Sequence, residues 1–107
     1  MMEKHLEERW LKAVKTRMKT VEGRVKKGDW NNVRVGDKII FYGNIQGEYY
    51  SREVTVTNTK EFKTFEAMYE HYEERLLPGC TDLSEATRIY QQIYGDENAT
   101  KIAIEFA

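Results

Sequence analysis

The sequence predicts an α+β fold, a small curved sheet or barrel with helices packed on one side. Three observations predict it. Apolar residues recur at three- and four-residue steps near the amino end and again over 63–94, as on the buried stripe of a helix. Between these regions the period falls to two, with β-branched and aromatic residues dominating. Finally, the chain closes on "TKIAIEFA", a strand that must return to the sheet made by the earlier ones, because a lone strand leaves its backbone N–H and C=O groups unpaired.

In order along the chain, Leu6, Trp10, Leu11, Val14 and Met18 set a helix over 6–17. "KTVEGRV", with Thr20, Val21 and Val25, reads as a strand, and "KKGDWNN" as a loop or a short helical turn. "VGDKIIFYGN" is a turn followed by an apolar strand from Lys38 to Tyr42. A glycine-containing connection then leads into an alternating strand that places Val54 and Val56 on one face. Phe62, Phe65, Tyr69, Tyr72 and Leu76 predict an amphipathic helix over 63–77, stopped by Pro78-Gly79. Asp82 with Glu85 makes the start signal of a second helix, whose stripe is Leu83, Ala86, Ile89, Tyr90 and Ile93 and whose end is Gly95. This aromatic-rich stripe reads as core, so no cofactor is expected.

The 107 residues predict one domain over 1–107, and a 40% hydrophobic fraction with a single Pro fits a globular chain. No apolar run approaches the roughly 18–20 residues that a membrane span needs, so no membrane partner is expected. "MMEKHLEERW" has no apolar h-region of a secretory leader. Cys80 stands alone, which fits a reducing compartment, and the expected location is cytoplasmic. One Cys with two separated His, His5 and His71, argues against a structural zinc, so no metal is expected.

The net charge of −1 conceals an asymmetry. Residues 1–38 hold eleven Lys/Arg against six Asp/Glu, whereas residues 39–107 hold six against twelve. Within 12–27 there are seven basic side chains and one acid, Glu22. Such a local excess either forms a solvated face or attracts an anion. In a regular strand Thr20, Glu22 and Arg24 share one face, and Lys19, Val21 and Gly23 the other. Lys19 and Glu22 meet in one pocket only if the chain bends by a bulge, or if Lys19 still belongs to the helix-to-strand turn.

Four segments, "KTVEGR" (19–24), "VGDKIIF" (35–41), "LPGCTDLSEATRIYQQIY" (77–94) and "KIAIEF" (101–106), together resemble the ASCH domain family, a branch of the PUA-like β-barrels, from about residue 6 to the end. The resemblance implies a small PUA-like β-barrel with a cleft beside its helices, lined by a Gly-x-Lys-Thr-x-Glu-x-Arg signature. Lys19, Thr20, Glu22 and Arg24 match that signature, and it implies that Lys19 belongs to the turn. Arg17 stands where the family has Gly. A left-handed residue there costs a non-glycine on the order of 1 kcal/mol, so a different helix end is expected, with Arg17 adding positive charge at the cleft mouth.

The implied ligand is RNA or a nucleotide. On that reading Lys19 and Arg24 contact phosphate, and Glu22 accepts from a base amino group or holds Arg24. Trp30 either stacks on a base or plugs the loop that carries it. The alternative is a hydrolase acting on RNA or a modified nucleoside. A bacterial member of the family deacetylates N4-acetylcytidine with a Lys, a Thr nucleophile and a Glu; here Lys19 matches the Lys, but Glu22 occupies the nucleophile position and Glu73 and Glu74 are displaced from the third. If the chain is an enzyme, Lys19 and Glu22 are the catalytic candidates. The acidic helix positions Glu66, Glu70, Glu73 and Glu74 read as an ordinary solvated face rather than a protein-docking surface.

Overall fold

A computed structural model describes residues 1–95 and 98–107. The chain begins with a strand, β1 (Met2–His5), and continues through α1 (Glu8–Lys15), β2 (Val21–Val25), β3 (Lys38–Ile45), β4 (Glu48–Phe62), α2 (Phe65–Tyr72), α3 (Leu83–Tyr94) and β5 (Lys101–Phe106). Short 3₁₀ turns occupy Gly28–Asn32 and Glu73–Arg75. The strands form one five-stranded sheet in the order β1-β3-β4-β5-β2. β1 runs parallel to β3 and every other pair is antiparallel. The sheet curls into a half-barrel, the α+β class expected.

The length of β4 makes the curl possible. Its first half pairs with β3 and its second half with β5, and the register slips between Val56 and Asn58. A bulge of this kind bends a strand and increases its twist, which lets one strand serve both walls. The inner faces carry Ile39, Phe41, Val54, Val56, Ile104 and Phe106, all buried. β1 and β2 remain as the two edges, and the open seam lies between them.

Three local features differ from the periodicity reading. β1 was not expected: "MEKH" is too short and too polar to show a period, and its pairing with β3 secures it. The first helix is Glu8–Lys15 and leaves Met18 63% exposed, because the chain turns away at Arg17. That residue takes φ 66°, so the helix ends in the left-handed conformation despite the missing glycine, not by another route.

The helix expected over 63–77 stops at Tyr72, well before Pro78. Glu73 at φ 51° turns the chain, and a 3₁₀ turn delivers Leu76 and Leu77 into the core. The early stop frees carbonyls that a continuous helix would have used. Thr20 N–H donates to Arg75 O at 3.0 Å, and Lys19 Nζ donates to Leu76 O. α3 starts as its sequence signal predicts, with the Asp82 carboxylate accepting from Glu85 N–H at 2.8 Å.

Candidate functional site

The seam is closed along half its length. Lys4 on β1 reaches Asp29 at 2.9 Å, and its ammonium lies 5.1 Å from the Trp30 ring centre. Arg24 on β2 covers the same ring at 4.9 Å. Trp30, 7% exposed, therefore ties the two edge strands together. The other half of the seam stays open as a cavity of about 220 Å³. His5, Leu6 and Glu7 line one side, Glu22, Gly23 and Arg24 the other, with Trp10 of α1 and Tyr90, Ile93 and Tyr94 of α3 as the remaining walls and Lys19 at its base.

Lys19 sits in the turn before β2, as the resemblance implied. Its ammonium, on a side chain only 2% exposed, meets Val21 O at 2.7 Å, Leu76 O, and Glu22 Oε1 at 3.3 Å. These three acceptors match the three N–H bonds of an ammonium. Burial lowers the Lys19 pKa, and Glu22 opposes that fall. The other Glu22 oxygen, Oε2, accepts from Arg24 Nε at 2.8 Å. Burial alone would raise the Glu22 pKa, but Lys19 and Arg24 outweigh it and hold the carboxyl below its ordinary value. For Arg24, burial acts downward and the Glu22 carboxylate more than reverses it. With Lys19 meeting three acceptors and Arg24 donating to Glu22, the triad has the geometry of two cations on one anion.

The aromatic walls are held from behind. Tyr90 stacks on Phe65 with centroids 4.0 Å apart and planes 2° from parallel, and Phe65 also stacks on Tyr94 at 5.1 Å. Burial raises the Tyr94 hydroxyl to about 12 and pushes that of Tyr90 well above its ordinary value, so both stay protonated donors at neutral pH. Gly23 is required by close approach: a Cβ there would lie 2.7 Å from Met68 Sδ and 2.8 Å from the Tyr90 hydroxyl oxygen.

Of the six residues expected from the sequence, the structure brings Lys19, Glu22 and Arg24 together on the cavity. Thr20 points elsewhere, its hydroxyl accepting from Arg75 Nε at 3.1 Å. Arg17 is exposed and lies near Arg52, whose guanidinium burial and that like charge together lower. Trp30 stands behind Arg24 in a neighbouring depression. Sequence reasoning missed Trp10, Tyr90 and Tyr94 as cavity walls because Trp10 and Tyr90 fall on apolar helix stripes and read as core. The available signal was the polar tip of a tyrosine on such a stripe, which needs a partner or an opening. Among the described residues, no group of three or more His, Cys, Asp and Glu side chains is placed to hold a metal, and no helix is long and apolar enough to cross a membrane.

A curled mixed half-barrel with a seam cleft beside its helices defines a PUA-like protein. The ASCH domain model matches residues 5–105, and the chain belongs to the ASCH domain family. Two solved structures share the fold across nearly the full length of both chains. The crystal structure of the hypothetical protein PH0355 is 28% identical with a TM-score of 0.84, covering 98% of this chain and 95% of that one. The solution NMR structure of protein PF0455 from Pyrococcus furiosus is 28% identical with a TM-score of 0.73, covering 99% and 96%. No curated protein matches the chain. ASCH domains generally bind RNA.

Proposed function

We propose that the chain acts as one domain, in a reducing cytoplasmic setting that its free Cys80 fits, and binds single-stranded RNA or a nucleotide in the seam cleft. The observation that carries this reading is the cleft's composition: aromatic walls around a buried triad of net charge +1, open at the unpaired edge of the sheet. Aromatic faces with a fixed cation suit a stacked base and its phosphate. The family's general association with RNA supports it.

Within this reading the roles divide by accessibility. Arg24 makes the phosphate contact, because only its Nε is taken by Glu22 and its terminal nitrogens stay available for a bidentate contact. Lys19, with each N–H committed, holds Glu22 and thereby orients Arg24. Trp30 braces Arg24 from behind. The same commitment favours binding over hydrolysis by Lys19 and Glu22, although burial moves the Lys19 pKa in the direction a general base requires.

Arg24→Gln tests the assignment in a titration with labelled single-stranded RNA across a salt series. The expected result is weaker binding and a log–log salt slope shallower by about 0.7, the loss of one phosphate contact on a single strand. Unchanged affinity and slope would overturn the reading.

A further inference from the structure

The edge of β2 that faces the cleft has a hydrogen-bonding pattern fixed by its register. Phe106 N–H donates to Thr20 O at 3.0 Å and Lys26 N–H to Thr100 O at 2.8 Å, so the even-numbered residues of this segment face β5. In an antiparallel ladder the alternate residues then turn their N–H and C=O groups to the other side. Val21, Gly23 and Val25 do so. Val21 O is taken by Lys19 at 2.7 Å and Val25 O by Lys27 N–H at 2.9 Å. Gly23 lies between them, is buried, and lines the cavity. Among the described residues nothing pairs with its outward N–H and C=O.

A buried peptide group without a partner is costly, and natural structures leave few of them. Here the peptide faces a cavity walled by aromatic rings. A second polar group meets the same space: the Tyr90 hydroxyl, close to Gly23, has no hydrogen-bond partner among the described residues, and Tyr90 lines the same cavity.

We propose that the cleft reads a nucleobase by its hydrogen-bonding edge, with the Gly23 peptide pairing to the base as a neighbouring strand would. This rests on the RNA-binding reading and adds to it the group that recognises the ligand. One residue of an open strand edge offers a donor and an acceptor side by side. A base presents the complement: an amino group beside a ring nitrogen in adenine and cytosine, a ring N–H beside a carbonyl in uracil and guanine. The base edge takes the place of a sixth strand, Tyr90 supplies a further hydroxyl contact, and the phosphate extends toward Arg24.

The test is an NMR titration of the ¹⁵N-labelled chain with AMP, CMP, GMP and UMP in turn, followed by the analogue of the binding nucleotide methylated on its ring nitrogen at that edge. The expected result is a downfield shift of the Gly23 amide with slower solvent exchange. The methylated analogue should bind about tenfold more weakly, the loss of one buried hydrogen bond. Two outcomes overturn the proposal while leaving RNA binding in place. One is a nucleotide that shifts Trp10 and Tyr94 but not Gly23, or that tolerates methylation. The other is RNA that binds through Arg24 while no mononucleotide shifts the cleft. Absence of both RNA and nucleotide binding would remove the broader reading along with this one.

Discussion

Glu22 is the residue on which the site turns. Its carboxylate is nearly buried between Lys19 at 3.3 Å and Arg24 at 2.8 Å, and removing one member of such a group leaves an uncompensated charge. Glu22→Gln should therefore destabilise the fold by about 3–5 kcal/mol at neutral pH. It should also change the acid limb of the stability curve. Because the folded-state pKa of Glu22 lies below 4.5, its contribution is fully present above the unfolded value and disappears as pH falls through the folded one. Urea midpoints from pH 7 to pH 3 should fall less steeply in the variant than in the parent. Parallel curves would show that the carboxylate contributes no such linkage. The family resemblance, through its signature, named Lys19, Glu22 and Arg24 as a set, whereas strand spacing alone puts Lys19 on the opposite face from the other two. Neither could show that Lys19 spends all three N–H bonds inside the protein, because Leu76 O comes from a segment 57 residues away.

At the level of elements, the turn between α1 and β2 decides whether the signature becomes a site. Arg17 accepts φ 66°, and the chain then passes Lys19 under the cleft before β2 begins. Arg17→Gly should relieve the strain and raise stability by about 0.5–1 kcal/mol, measurable by chemical denaturation. A loss of stability would mean that the arginine side chain contributes more than its backbone costs. The helices and most strands were legible from apolar period, and the Asp82 cap from its spacing to Glu85. β1 was not, because four residues of mixed polarity show no period and pairing with β3 alone makes them a strand. The end of α2 was not either: Leu76 continues the stripe, but its backbone is diverted at Glu73 to serve Lys19.

For the whole molecule, the half-barrel leaves one seam, and the strand order puts β1 and β2 at its rims. Trp30 fills one half and aromatic side chains from α1 and α3 wall the other, so a mostly antiparallel sheet acquires a concave edge instead of an exposed one. The charge asymmetry in the sequence pointed to an anionic partner, yet Lys19 spends its N–H bonds inside the protein and Lys26 pairs with Glu61 at 3.0 Å, so part of the basic tract serves other purposes. Only three-dimensional closure selects Arg24 from it. A crystal structure with a short single-stranded RNA tests this most directly. It should place one base inside the seam, against the edge of Gly23 and the rings of Trp10 and Tyr94, with its phosphate on Arg24. RNA bound to the convex outer wall of β3 and β4, with the seam unchanged, would contradict it.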